Sequence, residues 1–218
     1  MRVLKVPSFA MDISILFEDE HVIAVHKPAG MPCEVDFALL KTLSQSEPLH
    51  PIHRLDQRVS GIWLLAKTAD IQTQLSAVWS TGVVQKQYHA VVAVLPTPPS
   101  GSLQHWLVQN QANKKVKAYA KPTAHGKQAN LDYTWLKSSQ RYHLLAVHLK
   151  TGRFHQIRAQ FAAIGSPIVG DVKYGYARTT PDGSIFLQAS SLVVPHPVTK
   201  KQIEITIPMP VLWQKYGL

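Results

Sequence analysis

The chain has 218 residues, 45% hydrophobic and 17% charged, a composition that is typical of a globular protein and excludes a disordered one. Its single cysteine, Cys33, excludes an internal disulfide framework and a zinc site built from several thiolates. Lysine and arginine number 23 against 13 acidic residues, for a formal net charge of +10, and a globular protein this basic most often binds a polyanion such as nucleic acid.

The predicted location of the protein depends on the length of its apolar segments. The sequence contains no run of about 18 apolar residues, and its N-terminus has no apolar segment of signal-peptide length. We therefore expect a cytoplasmic protein that does not cross a membrane, and a monomer by default.

The first third of the chain predicts a hairpin, a short helix and a buried strand. Alternating apolar residues predict two strands, at 13–17 and 22–26, around an acidic turn. The apolar run FALLKTL, at 37–43, predicts a short helix. The unbroken apolar run GIWLLA, at 61–66, predicts a strand that is buried on both faces.

A helix is predicted directly after this strand. Thr68 is its predicted N-cap, and Ile71, Leu75 and Val78 recur on one stripe. The spacing therefore predicts an amphipathic helix against the core.

The rest of the chain consists mainly of strand patterns. One helix, at 154–164, is predicted from Ile157, Phe161 and Ile164 on one stripe, with Gly165 as its C-cap. Strands are predicted at 86–95, 102–108, 114–120, 129–137, 141–150, 184–193 and 202–207. Since strands outnumber helices and no linker divides the chain, we expect one domain over residues 1–218. Its predicted class is α+β, with a mainly antiparallel, mixed sheet flanked by a few helices.

Asp56 is the first candidate for chemistry. It stands directly before the GIWLLA strand, between Arg54 and Arg58. A loop aspartate usually makes a turn or a capping bond. A carboxylate held near cations, however, stays ionised and can act as a nucleophile or a base. The residues alone leave both interpretations open.

A second candidate segment is TGRFHQIR, at 151–158. It places Arg153, His155 and Arg158 at or near a helix N-terminus, where backbone N–H groups favour anions. Arg158 adjoins the apolar stripe, so we expect its guanidinium to be partly buried and to need a carboxylate, held bidentately. A purely structural ion pair is an equal alternative.

Two strands carry further candidates. Tyr88 lies inside the apolar pattern QYHAVV, where a tyrosine usually belongs to the core. Lys115, Lys117 and Lys121 share one predicted strand face with Tyr119, an arrangement that suits a phosphate backbone. A solvated strand face explains the lysines equally well.

The sequence offers no cofactor or metal motif. His50 and His53 form an H-x-x-H pair without a third ligand, and neither glycine-rich nucleotide motif is present. We expect neither a metal nor a cofactor.

Taken together, the segments resemble the RluA-type RNA pseudouridine synthases. HRLDQRVSGIWLLAKT, TGRFHQIRAQFAAIGSPIVGDVKYG, ILFEDEHVIAVHKPAGM and QKQYHAVV are similar to four motifs of that family, in order, over residues 13–207. The resemblance implies a pseudouridine synthase-like catalytic domain without an S4 domain. It also implies an isomerase that converts specific uridines of a tRNA or rRNA stem-loop into pseudouridine without a cofactor.

The resemblance also implies residue roles. Asp56 matches the catalytic aspartate, Arg158 the arginine that pairs with it, and Tyr88 the tyrosine that packs against the target base. Arg54 matches a residue that helps displace the target nucleotide. Further RNA contacts are expected from Arg58, Lys115, Lys117, Lys121, Arg153 and His155.

Three positions depart from the family pattern. Val59 and Phe154 stand where threonine is common, and His26 replaces asparagine. None of the three replaces a residue assigned to chemistry. Two other functions stay open, an inactive RNA-binding relative and a phosphodiester hydrolase that uses some of the 11 histidines. The intact set of Asp56, Tyr88 and Arg158 favours the isomerase, because binding alone requires none of them.

Overall fold

The computed structural model describes residues 3–6, 11–33, 48–79 and 81–218. The chain falls into two compact units. Unit 1 comprises Met1–Gln85 and Ala189–Ile207, and unit 2 comprises Lys86–Gln188 and Pro208–Leu218. The single domain expected from the sequence stays a prediction, and the helix predicted at 37–43 lies outside the described residues.

The described residues form strands in both halves of the chain and a few short helices. The strands are β1 (Val3–Val6), β2 (Met11–Glu18), β3 (Val22–Lys27), β4 (His50–Pro51), β5 (Ser60–Ala66), β6 (Gln85–Val92), β7 (Gly101–Asn110), β8 (Lys115–Tyr119), β9 (Lys127–Ser138), β10 (His143–Leu149), β11 (Leu187–Pro195) and β12 (Gln202–Thr206). The helices are α1 (Ala69–Trp79), α2 (Gln156–Ala163), α3 (Val211–Gln214) and a 3₁₀ helix, Val172–Tyr174.

Unit 1 is built on the predicted hairpin and the buried strand after it. β2 pairs antiparallel with β3 and β3 with β5, while β4 adds to β5 and β12 to β11. From Gly61 onward every residue of β5 is buried, which confirms the burial predicted for GIWLLA. The Thr68 Oγ1 accepts a hydrogen bond from the Ile71 N–H at 3.3 Å, so the predicted N-cap of α1 is confirmed. Ile71 and Leu75 are buried in the core of this unit.

Gly61 is required where β5 approaches β11. Its φ is +133°, a conformation that side chains rarely adopt. A Cβ at this position would lie 2.5 Å from the backbone N and O of Ala189. The glycine of the SGIWLLA segment therefore permits close contact between backbones, directly after the loop that carries Asp56.

Unit 2 carries an antiparallel sheet in the order β6-β10-β9-β7-β8. The four strands predicted between residues 102 and 150 are confirmed by β7 to β10. Helix α2 packs on the β7–β8–β9 face through a buried apolar cluster. That cluster comprises Leu107, Val116, Ala129, Ala159 and Tyr174.

Two boundaries differ from the sequence prediction. Helix α2 begins at Gln156 and not at 154, because His155 adopts a left-handed conformation, with φ of 51°. Residues 156–161 are all buried, so α2 presents much more than one apolar stripe to the core. At its other end Ile164 is the C-cap, and the predicted Gly165 follows it with φ of +77°. Lys121 lies beyond the end of β8.

Mainly antiparallel strands and a few helices define an α+β protein, as the sequence predicted. Within the described ranges, no helix has the length and apolar character needed to cross a membrane.

Candidate active site

The loop that carries Asp56 is anchored by apolar residues on both sides. Leu55 and Val59 are buried, at 6% and 2% exposure, whereas Asp56 between them is only half-buried. The Val59 N–H donates to the Asp56 backbone carbonyl at 3.0 Å, which closes a turn that begins at Asp56. The Leu55 N–H donates to the Cys33 Sγ at 3.3 Å. Asp56 is therefore half-buried on a loop whose backbone is anchored on both sides.

A fully buried lysine ties this loop to the end of β3. The Lys27 Nζ donates to the carbonyls of Pro28 at 2.9 Å, Met31 at 2.7 Å and Gln57 at 3.3 Å. Gly30 and Gln57 also exchange hydrogen bonds. The Gly30 N–H donates to the Gln57 carbonyl at 2.7 Å, and the Gln57 Nε2 donates to the Gly30 carbonyl at 2.9 Å. The residue directly after Asp56 is thus held by three hydrogen bonds.

The electrostatics around Lys27 are set by burial. Desolvation lowers the pKa of Lys27 from 10.5 to about 8, although the nearby Cys33 and Asp56 act in the opposite direction. Burial raises the pKa of the Cys33 thiol. Burial also lowers the pKa of His26, and the Lys27 charge adds to that shift. Lys27 is therefore a cation held by carbonyl dipoles next to the Asp56 loop.

His53 of the HRLD segment has a structural function. Its carbonyl accepts from the Trp63 Nε1 at 3.0 Å, and its Nε2 accepts from the Leu64 N–H at 3.1 Å. Its ring stacks on Trp79 with centroids 4.6 Å apart. These contacts fix the chain before Asp56 to β5 and α1, while Arg54 is exposed and Arg58 half-buried.

In unit 2, Arg158 has the bidentate carboxylate partner that its burial predicted. Its Nε donates to the Asp171 Oδ2 at 2.7 Å, and its Nη2 donates to the Oδ1 at 2.8 Å. The two side chains are 6% and 0% exposed. Asp171 belongs to the SPIVGD segment, which follows α2. The implied pairing of Arg158 with Asp56 stays a prediction.

Tyr174 connects Arg158 to the residue before α2. Its ring lies under the Arg158 guanidinium, with 4.9 Å between the Cζ and the ring centroid. Its hydroxyl accepts from the Val116 N–H at 2.8 Å and lies 2.9 Å from the His155 Nδ1. A hydroxyl that accepts from Val116 can donate its own proton to Nδ1, which favours the His155 tautomer protonated on Nε2. The left-handed His155 is therefore held by the same tyrosine that supports Arg158.

Gln156 orders the segment before α2. Its Oε1 accepts from the Thr151 hydroxyl at 2.8 Å and from the Arg153 N–H at 3.0 Å. Its Nε2 donates to the Asn130 carbonyl at 3.0 Å. Because Gln156 is 3% exposed, these bonds bury a polar network that fixes the backbone of Arg153.

Tyr88 lies on β6, opposite Val147 of β10, and is half-buried. Its strand also supports the segment that leads to Asp171, because the Val169 N–H donates to the Val91 carbonyl at 2.9 Å. The nearby Lys86 Nζ is 3.8 Å from the position of a Cβ built on Gly152, and burial lowers the pKa of this lysine. The strand of Tyr88 is therefore bonded to the segment after α2 and lies near the segment before it.

The structure places the predicted residues in two groups. Arg54, Asp56 and Arg58 lie in unit 1, and the others lie in unit 2. These others are Tyr88, Lys115, Lys117, Lys121, Arg153, His155 and Arg158. Lys115 and Lys117 are exposed on β8 while Val116 between them is buried, as the predicted alternation requires.

Sequence reasoning missed three residues that support these groups: Lys27, Asp171 and Tyr174. All three lie inside segments that resemble family motifs, HKPAGM and SPIVGDVKYG. A buried Arg158 needs a carboxylate partner, and Asp171 lies in the next motif. Sequence reasoning could have identified Asp171 in this way.

Comparisons with known proteins agree on one family. The sequence model of a family described as RNA pseudouridylate synthase matches residues 21–163. The chain is 30% identical to tRNA pseudouridine synthase C of Haemophilus influenzae, with 93% of this chain and 95% of that protein covered. It is also 30% identical to ribosomal large subunit pseudouridine synthase D of Xylella fastidiosa, with 91% of this chain and 66% of that protein covered. The structure of Human RNA Pseudouridylate Synthase Domain Containing 4 has the same fold, with a TM-score of 0.77, 23% identity, and coverage of 92% of this chain and 90% of that one.

Proposed function

Because this chain belongs to the RNA pseudouridylate synthase family and is an RNA pseudouridine synthase, we propose that Asp56 is the carboxylate on which its isomerase reaction depends. The reaction breaks the N1–C1′ bond of a uridine within RNA, turns the uracil and joins C5 to C1′. The proton on C5 leaves, and N1 gains one. The RNA keeps its length and its elemental composition, so no redox partner is needed.

The observation that carries the proposal is the way in which the Asp56 turn is fixed. Lys27 and Gly30 hold the carbonyl of the adjacent Gln57, and Leu55 and Val59 are buried on either side. A nucleophilic or charge-stabilising carboxylate needs this kind of positioning, because its oxygens must meet the reacting atoms in one geometry. A loop aspartate that merely caps a turn does not.

The roles in unit 2 follow from the resemblance and are part of the same proposal. Arg158, fixed by Asp171, is assigned to keep Asp56 ionised and oriented, and Tyr88 to pack against the target base. RNA contacts are assigned to Arg54, Arg58, Lys115, Lys117, Lys121, Arg153 and His155.

The RNA substrate is proposed by class. The named relatives are a tRNA pseudouridine synthase and a ribosomal large subunit pseudouridine synthase, so we infer that this chain modifies a stem-loop of tRNA or rRNA. The target nucleotide must leave its stack, at a cost of a few kcal/mol, and the basic surface and Arg54 offset that cost. We further infer that the enzyme acts in the cytoplasm, as a monomer and without a metal ion.

The test is turnover on RNA from cells that lack this protein, prepared with tritium at C5 of uridine. The wild type is expected to release tritium, because C5 loses its hydrogen when it bonds to C1′. The substitution Asp56→Asn is expected to abolish release while the affinity for RNA changes by only a few-fold. Asp70→Asn, an exposed carboxylate on α1, is the matched control and is expected to keep full activity.

Carbodiimide marking of pseudouridine, read by primer extension, then identifies the modified position. A stop that is absent in the deletion strain and restored by the wild type but not by Asp56→Asn supports the proposal. Full tritium release by Asp56→Asn would remove Asp56 from the reaction.

A further inference from the structure

Unit 2 contains an open cleft, and of the residues that line it only Arg153 has a role in the function proposed above. Its volume is about 430 Å³, within the range of about 300–1,000 Å³ of small-ligand sites. Three pieces of chain line it: the β7–β8 hairpin, the turn that leads into β9, and the segment before α2.

The floor of the cleft is one face of the sheet. Leu107 pairs with Lys127 of β9, and Gln109 pairs with Val116 of β8. Paired residues point to the same side of a sheet, and so do residues two apart on a strand. The register therefore places two apolar side chains, one amide and one ammonium together in this cleft.

The wall opposite the hairpin carries an aromatic ring, Phe154. It is half-buried and stacks on the His155 ring, with centroids 3.8 Å apart and planes at 19°. His155 is itself held by the Tyr174 hydroxyl. Phe154 is thus one layer of a stack whose other layer is fixed, and an aromatic fixed in this way suits a flat ligand.

The charge of the cleft has one sign. Of the ten described residues that line it, Lys127 and Arg153 are cationic and none is acidic. The Arg153 Nε donates to the Gln128 carbonyl at 3.3 Å, which orients the guanidinium. The turn before Lys127 is tight, because a Cβ on Gly126 would lie 2.8 Å from a Thr123 methyl. An oriented guanidinium beside an exposed ammonium favours an anionic ligand.

We propose that this cleft binds an unpaired nucleotide of the RNA substrate, separate from the uridine that is isomerised. The base extends the stack on Phe154, and the amides of Gln109 and Gln111 face its edge. Lys127 and Arg153 bind the flanking phosphates. The inference rests on the proposed function for the identity of the ligand. Because Phe154 replaces a common threonine, this aromatic surface is a feature of this chain and not of the family resemblance.

The test uses a fluorescein-labelled single-stranded oligouridylate of about eight nucleotides, the length of a typical single-strand site. Phe154→Leu keeps an apolar side chain but removes the ring, and it is expected to weaken binding by about 5- to 20-fold. Phe154→Trp keeps an aromatic ring, and its affinity for the oligomer is expected to stay close to that of the wild type. Trp135→Leu, which removes an exposed aromatic outside the cleft, is the matched control and is expected to leave affinity unchanged.

A second measurement does not depend on any variant. The wild type is cross-linked by ultraviolet light to the same oligomer carrying 5-iodouridine and digested with trypsin. The peptide of residues 154–158, FHQIR, is expected to carry the nucleotide. Cross-links confined to other peptides, or equal affinities of Phe154→Leu and the wild type, would overturn the inference. Displacement of the oligomer by free uridine monophosphate at the same concentration would overturn the claim that the cleft binds a nucleotide as part of an RNA chain.

These outcomes are separate from failure of the proposed function. A wild type that releases tritium while Phe154→Leu binds the oligomer normally refutes the cleft and keeps the enzyme. A wild type without turnover refutes the enzyme, and the cross-link still reports whether the cleft holds a nucleotide.

Discussion

Within the described residues, unit 1 buries the ammonium of Lys27 and unit 2 buries the guanidinium of Arg158, and the two cations are held by different kinds of partner. Lys27 in unit 1 has three carbonyl acceptors, and burial lowers its pKa to about 8. Arg158 in unit 2 has a carboxylate, Asp171, bound bidentately and fully buried. The lysine is next to the loop of Asp56, whereas the arginine is fixed by a residue 13 positions along the chain.

The difference follows from the chemistry of the two side chains. An ammonium is a point donor that can bind three carbonyls from different directions, so it fixes backbone. A guanidinium is planar and stays charged, so it needs a planar anion and fixes a side chain. Lys27 therefore shapes the loop on which the proposed catalytic carboxylate stands, while Asp171 fixes the orientation of a cation.

The largest effect is expected from breaking the carboxylate pair. Asp171→Asn keeps the shape of the side chain but removes the charge that faces the Arg158 Nε and Nη2. Removal of one partner of a buried ion pair costs about 3–5 kcal/mol, so the free energy of unfolding in urea should fall by that amount. Asp132→Asn is the matched control in the same unit, because the Asp132–Lys150 pair is largely exposed and contributes about 1 kcal/mol or less.

Equal and small losses from the two aspartate substitutions would contradict this view of Arg158. They would mean that other groups around the guanidinium balance its charge without Asp171.

An intermediate effect is expected from Lys27→Met. The substitution removes the donor that the carbonyls of Pro28, Met31 and Gln57 share, although the Gln57 carbonyl keeps its bond from the Gly30 N–H. An unsatisfied buried polar group costs about 1–3 kcal/mol. We also expect kcat to fall while KM stays within a few-fold, since Lys27 positions the Asp56 loop and does not touch RNA in the proposed mechanism.

Lys67→Met supplies the comparison for that variant. Lys67 also lies in unit 1, where it pairs with Glu18 at 2.9 Å on the surface. Its replacement should cost about 1 kcal/mol or less and leave kcat unchanged. A normal kcat in Lys27→Met would show that the three carbonyl contacts do not position Asp56.

Local patterns predicted most of the fold. The hairpin of β2 and β3, the buried β5, the Thr68 cap and the strands of unit 2 all follow from alternation, apolar runs and capping chemistry. The start of α2 was predicted two residues too early, because His155 adopts a left-handed conformation. Its ring contacts the Tyr174 hydroxyl, 19 residues away, and a local pattern does not report such a contact.

The candidate site was predicted less completely, for a physical reason. The need of Arg158 for a carboxylate can be derived from its apolar neighbours, but the choice of Asp171 depends on a loop that returns to β6 through Val91 and Val169. In the sequence, Lys27 cannot be distinguished from an ordinary lysine at a strand end, because only the fold brings the Gln57 carbonyl to its ammonium. Such contacts are long-range, and no periodicity reports them.

The smallest effect concerns the pH dependence of stability. The folded pKa of Lys27, about 8, is below its ordinary value of 10.5, so between these values the unfolded chain binds more protons than the folded one. Stability contributed by this group therefore rises as pH increases through 8 and is lost as pH falls through 8. From pH 7 to pH 9, the unfolding free energy of the wild type should rise by roughly 1 kcal/mol relative to that of Lys27→Met. The comparison of the two proteins removes the contribution of the other titrating groups. Urea unfolding of both proteins at the two pH values measures this difference. A constant difference would mean that Lys27 keeps its proton well above pH 8, and that the three carbonyls compensate the ammonium as completely as Asp171 compensates Arg158.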